Sequence, residues 1–294
     1  LHSTSRRQRQ MCIRDRSTHD IISKIKYCHR ADRMQKAFVG VSLGLRRYVW
    51  RMLIFWRFYT MKFKNPFIGL TKFEWCLWTI SVVVVTGSFV LSGSTDILTI
   101  IASLIGVTAL IFVAKGYVFG QILTVIFAVF YGIISFYFKY YGEMITYICM
   151  TSPIAVFSII TWIKHPFQKS SEVEVNKLSR RQIYILIVSV TAVTVIFYFI
   201  LKYLGNANLL FSTVSVATSF IASYLTLFRS PFYAIGYAAN DIVLIVLWIL
   251  AAAENISYLP MVICFAMFLV NDLYGFVNWR RMKQRQESTF ISNV

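Results

Sequence analysis

From about position 73 onward the chain is built of apolar blocks too long for the buried helices of a soluble core, separated by short polar stretches. A bilayer's hydrocarbon core, about 30 Å thick, takes about 20 helical residues to cross. Runs of that length fall at 73–91, 97–114, 117–138, 144–163, 183–204, 209–228, 232–252 and 257–279, which predicts eight transmembrane helices. The one sizeable polar interval between them is KHPFQKSSEVEVNKLSRR, at 164–181. The pattern predicts an all-α polytopic membrane protein.

The helix pattern repeats. FVAKGYVFG at 112–120 is echoed by LFRSPFYAIG at 227–236, and SIITWIK at 158–164 by GFVNWRR at 275–281. The echoes define two three-helix units, 97–163 and 209–279. A cytoplasmic loop and linker helix (164–208) lie between them, 61–96 carries an extra helix in front, and 280–294 is a cytoplasmic tail. Both units begin on the same side of the bilayer, so they are parallel repeats related by an axis along the membrane normal. Transporters built this way bind cargo between the repeats near the midplane.

Composition agrees with the pattern: 57% of residues are hydrophobic and 14% charged, and the mean hydropathy is +0.63. Soluble domains carry about 25% charged residues. The net charge of +18 divides into +11 over residues 1–60 and +7 over the rest. The first sixty residues show no apolar period, and RRQRQMCIRDRS resembles translated sequencing adapter. Residues 1–60 are therefore read as a basic leader, non-native or disordered, with Met61 as the start. The alternative is an arm that grips anionic lipid head groups. After Met61, fourteen loop cations fall on the side of the termini and two, Lys139 and Lys202, on the other. The positive-inside rule then puts both termini in the cytoplasm.

Polar residues within a span face a cavity or a partner helix. Asn240 and Asp241 lie in 232–252; Asn271, Asp272, Tyr274 and Asn278 lie in 257–279. At 1.5 Å per residue, Asn240 and Asn271 each sit roughly 12 Å from the cytoplasmic end of their helices, so the two Asn-Asp pairs share one depth. Asn271, Tyr274, Gly275 and Asn278 form one stripe. Gln121, Thr124, Tyr131 and Ser135 give 117–138 a milder polar edge, and Thr151, Ala155, Ser158 and Trp162 a matching face to 144–163. Two alternatives stand beside a cavity lining: hydroxyls bonded back to their own helix, and amides that clamp helix to helix. Tyr131, Tyr233, Tyr237, Trp248 and Tyr274 can stack a flat ring, and a cationic ring gains extra from an aromatic face. A phosphorylated ligand calls for a buried Arg or Lys, and the spans hold none away from their ends. The five cysteines show no metal spacing, and all four histidines lie outside the spans. HExxH, GxSxG and Walker-type motifs are missing, so neither an enzyme nor a metal or cofactor site is expected.

The segments GYVFGQILTVIFAVFYGIISFYFKYYGEMITY, YAANDIVLIVLW and LVNDLYGFVNW resemble the Pnu family of bacterial vitamin transporters, typified by carriers of nicotinamide riboside, over about residues 65–285. The resemblance implies a 3+1+3 core similar to the SWEET sugar transporters, here with an added N-terminal helix. It implies residence in the bacterial plasma membrane and facilitated diffusion of nicotinamide riboside. It also implies a cytosolic kinase that traps the vitamin and feeds NAD synthesis, and often a homotrimer; no nucleic-acid partner is expected. Family members carry a WxxW pair shortly before the Asn of the second repeat. Here Tyr233 and Gly236 stand at that spacing from Asn240, which passes ring stacking to Tyr233. Relatives that carry thiamine or riboflavin, and a proton-coupled variant working through Asp241 or Asp272, remain alternatives.

Overall fold

A backbone in hydrocarbon can bond only to itself, so each apolar run folds as a helix, and polar residues mark where several begin. The structure is a computed structural model that describes residues 65–93, 96–206 and 208–292. The basic leader and Met61 lie outside the described residues. Helix α1 (Lys72–Leu91) opens with a reciprocal cap in which Thr71 Oγ1 accepts from the Glu74 N–H and Glu74 Oε2 from the Thr71 N–H. Asp96 caps α2 (Ile97–Ala114), and α3 (Val118–Tyr137) follows a three-residue turn. Helix α4 (Tyr141–Lys164) carries a wide π turn over Thr146–Thr151, just ahead of Pro153. A Ser179–Gln182 box starts α5 (Arg180–Tyr203). Then come α6 (Leu209–Leu227), α7 (Tyr233–Glu254) and α8 (Leu259–Ser292). Among the described residues, eight helices are long and apolar enough to cross a membrane, the number expected from the sequence.

The ends of α2 and α6 are alike. After α2 the N–H groups of Gly116 and Tyr117 turn back to the carbonyls of Val113 and Phe112, at 2.9 and 3.0 Å. After α6, Arg229 and Ser230 do the same to Thr226 and Leu225, at 3.0 and 2.9 Å. Each motif needs a left-handed residue. Gly116 supplies φ 70° at no steric cost, whereas Arg229 at φ 56° carries strain of about 1 kcal/mol. The tryptophans cross over these ends. Trp162 Nε1, on α4, donates to the Thr226 carbonyl at 3.0 Å, and Trp279 Nε1, on α8, to the Val113 carbonyl at 2.9 Å. Their rings meet at 5.5 Å.

The 165–179 connection runs across the same end. Val173 N–H donates to the Gly116 carbonyl and Asn176 N–H to the Arg229 carbonyl, both at 3.0 Å. Burial pulls the Arg229 guanidinium down from its usual range, and Glu174 opposes this. Helix α8 continues beyond the expected end at 279 because its tail packs on this connection. Met282 is buried, Gln286 Oε1 accepts from Val175 N–H at 2.8 Å, and Arg285 pairs with Glu172. Helix α5 is the most peripheral, packing along α6 and burying only Leu201. Its exposed Ile187, Val188, Ile196 and Phe199 suit lipid tails, which are equally apolar.

Candidate functional site

Successive residues on a helix point about 100° apart, so the neighbours Asn240 and Asp241 on α7 meet different helices. Asn240 turns to α6, where its Oδ1 lies 2.9 Å from Ser219 Oγ, 3.0 Å from Thr218 Oγ1 and 3.2 Å from Ser215 Oγ. A carbonyl oxygen has two lone pairs and a hydroxyl one proton, so these contacts are shared. Thr218 has a second acceptor in the Val214 carbonyl at 3.0 Å, and Ser215 one in Glu143 Oε2 at 3.2 Å. The amide nitrogen makes only a long contact, 3.5 Å to the Tyr147 hydroxyl. Its donors are nearly unused.

Asp241 turns to α8 and stands beside Asp272. The two Asn-Asp pairs therefore meet at one depth through their acids, while the amides face apart. Asn271 Nδ2 donates to Ser81 Oγ on α1 at 3.0 Å and to the Met267 carbonyl at 2.8 Å. Asn271 Oδ1 is buried without a hydrogen-bond partner among the described residues, whereas the Asp241 and Asp272 carboxyls lie close enough to share a hydrogen bond.

Tyr131 and Trp248 join this interior set. The Trp248 indole donates to the Tyr131 hydroxyl at 3.1 Å, and the Tyr131 ring meets that of Tyr147 at 4.5 Å. The other candidates face elsewhere. Tyr274 donates to Glu74 Oε1 at 2.7 Å, and Asn278 Nδ2 to the Ala114 carbonyl at 2.8 Å, so the α8 stripe is a seam against α1 and α2. Tyr233 packs on Trp279 at 4.8 Å, and its hydroxyl lies 2.9 Å from where a Cβ on Gly275 would stand, so the ring end sits close over the α8 backbone. Gln121 is buried in the first turn of α3. Thr124 and Ser158 bond back to their own helices, each at 2.9 Å, as one alternative has it.

Sequence reasoning passed over two acids. Glu143 precedes the expected start of its span at 144, yet it is 1% exposed and buried between α4 and α6. Its Oε1, with Thr146 Oγ1 and Thr151 Oγ1 of the π turn, has no partner among the described residues. The available signal was the stripe Glu143, Thr146, Tyr147, Met150, Thr151, which follows helical spacing across the assumed boundary. Glu74, equally buried, pairs with Lys115 at 3.2 Å and anchors α1. By contrast, no Lys or Arg among the described residues forms an ion pair with Glu143, Asp241 or Asp272. Nor do three His, Cys, Asp or Glu gather there as metal ligands. The interior is rich in acceptors, acidic and aromatic. Its acceptors, amides and rings match the groups of a flat polar ring with hydroxyl or amide substituents, and among the described residues no Lys or Arg pairs with its three acids.

A family model described as nicotinamide mononucleotide transporter matches residues 96–281. The chain is similar to the nicotinamide riboside transporter PnuC of Neisseria mucosa, with 27% identity over 228 residues, 76% of this chain and 86% of that protein. It is also similar to the crystal structure of a vitamin B3 transporter, PnuC, with a TM-score of 0.66 and 26% identity. That match covers 74% of this chain and 94% of the solved one.

Proposed function

The chain belongs to the nicotinamide mononucleotide transporter family, and we propose that it carries nicotinamide riboside by facilitated diffusion between two parallel three-helix units. The observation that carries the choice of cargo is the interior set of Glu143, Asp241 and Asp272, unpaired with any base among the described residues. A mononucleotide would bring its phosphate beside those acids with no Arg or Lys to meet it. The riboside brings hydroxyls, a carboxamide and a positively charged pyridinium ring, which match acceptors, amides and aromatic faces. We assign cargo contact to Asn240, Asn271, Asp241, Asp272, Tyr131 and Trp248. Tyr233, Tyr274, Asn278 and Gln121 are assigned the walls that hold them.

The reciprocal tryptophan bonds across the ends of α2 and α6 support reading 97–163 and 209–279 as repeats. On that reading α5 is the linker of a 3+1+3 core and α1 an added helix. The fourteen-to-two bias of loop cations supports placing both termini, and the 165–179 connection, in the cytoplasm. There a kinase would trap the riboside and feed NAD synthesis. The family likeness supports a homotrimer.

Uptake into vesicles tests the mechanism. It should saturate with riboside concentration and proceed equally with or without a proton gradient. Accumulation above the external level in vesicles without a kinase would overturn it. The adjacency of Asp241 and Asp272 supports one second reading, proton coupling. In that case gradient dependence disappears in Asp241→Asn and Asp272→Asn.

A further inference from the structure

The polar chain that starts at Asn240 passes through Ser215 and ends on Glu143, near the end of the bundle opposite the 165–179 connection. Glu143 is buried, one of its oxygens accepts from Ser215 at 3.2 Å, and the other has no partner among the described residues. The rings of Tyr131 and Tyr147 meet edge to face at 4.5 Å, Tyr131 also stacks on Phe127 at 5.5 Å, and both tyrosines lie within electrostatic reach of the Glu143 carboxyl. Tyr147 sits in the π turn, a distortion that costs regular hydrogen bonding and concentrates at functional sites. A buried carboxyl with an unmatched oxygen and, among the described residues, no base in an ion pair with it, beside two aromatic rings, can be relieved by a positive charge.

We infer that Glu143, with the rings of Tyr131 and Tyr147 beside it, forms a subsite for a cationic ring and makes the protein select its cargo by charge. The inference rests on the riboside reading above, in which the pyridinium nitrogen carries the charge. It gives that reading a specific discriminator. A structural role for Glu143, as acceptor for Ser215 alone, would make no distinction between charged and uncharged ligands.

Dihydronicotinamide riboside keeps the ribose and carboxamide and lacks the charge, so the pair of ligands isolates the effect. Affinities of both for the purified full chain are measured by calorimetry, with melting temperature recorded for each variant. The wild type is expected to prefer the cationic riboside. Glu143→Gln should weaken its binding about ten- to hundredfold, the range for losing a charge-assisted contact, and leave the reduced riboside almost unchanged. Glu143→Asp should keep the preference. Equal weakening of both ligands by Glu143→Gln, or no change in either, overturns the subsite. If Glu143→Gln does not fold, Tyr147→Leu decides instead: it removes a ring face and keeps the carboxyl, and an intact preference overturns the inference. A wild type that binds neither riboside overturns the cargo reading, and the subsite is then judged on thiamine, another cationic ring. Failure to bind thiamine, or thiamine affinity unaffected by Glu143→Gln, overturns it there too.

Discussion

Asn240 can clamp α7 to α6, contact cargo, or do both, and the hydrogen-bond arithmetic separates the cases. In Asn240→Ala the acceptor of three hydroxyls disappears, but Thr218 keeps the Val214 carbonyl and Ser215 keeps Glu143. The net structural loss is then close to one interhelical hydrogen bond, that of Ser219 at 2.9 Å. Such bonds contribute about 0.6 kcal/mol in membranes, at most about 1.7. The binding loss is larger. The nearly unused amide donors would leave a ligand oxygen unpaired, at about 1–3 kcal/mol, or tenfold to a hundredfold in affinity. Ser219→Ala is the control, since it removes the same interhelical bond and leaves the amide in place. Melting temperature and riboside affinity are to be measured on both purified variants. Both should melt slightly lower than the wild type, and only Asn240→Ala should bind weakly. Equal affinities in the two variants would refute a cargo contact at Asn240 and leave the clamp alone.

Gly236→Ala should destabilise by about 1–3 kcal/mol, because the added methyl would stand 2.8 Å from the Ala222 Cα and push α7 off α6. Gly87→Ala on α1 meets nothing within 4 Å, and its melting temperature should stay level or rise, by up to about 1 kcal/mol of stability. Trp162→Phe and Trp279→Phe should each lower stability by about 1 kcal/mol and by similar amounts, because their carbonyl partners occupy matching helix ends; strongly unequal losses in thermal unfolding would count against the repeat. Glu74→Ala strips a buried partner from Lys115 and should cost about 3 kcal/mol or more, read as early proteolysis of the α1 segment.

Much of the fold is legible in the sequence because the bilayer imposes one length on every span. The number of spans follows from that, and the placing of Lys115, Trp162, Arg229 and Trp279 is what suggests the proposed repeat. The boundaries are less legible where tertiary contacts extend a helix. RRMKQRQES is made of good helix formers with an i,i+4 pair, Lys283–Glu287, but hydropathy marks only the apolar span and stops at 279; beyond it Gln286 and Arg285 are held by Val175 and Glu172, more than a hundred residues earlier in the chain.

The site is legible only in part, for a different reason. Helical period tells which residues share a face and says nothing of which neighbour that face meets. Asn271, Tyr274 and Asn278 do share a stripe, but the stripe meets α1 and α2, so Tyr274 and Asn278 bond to protein groups there. Asn240 and Asp241 were conspicuous because they stand deep inside an apolar run. Glu143 was not, because an acid near a span's end shifts the hydropathy boundary past itself and is then counted as loop. A buried acid within a turn of a helix end is therefore where hydropathy is least able to see a candidate site. The physics that hides Glu143 from the sequence, the cost of a charged carboxyl without a positive partner in an apolar surround, is also what a bound cation would relieve in the subsite proposed there.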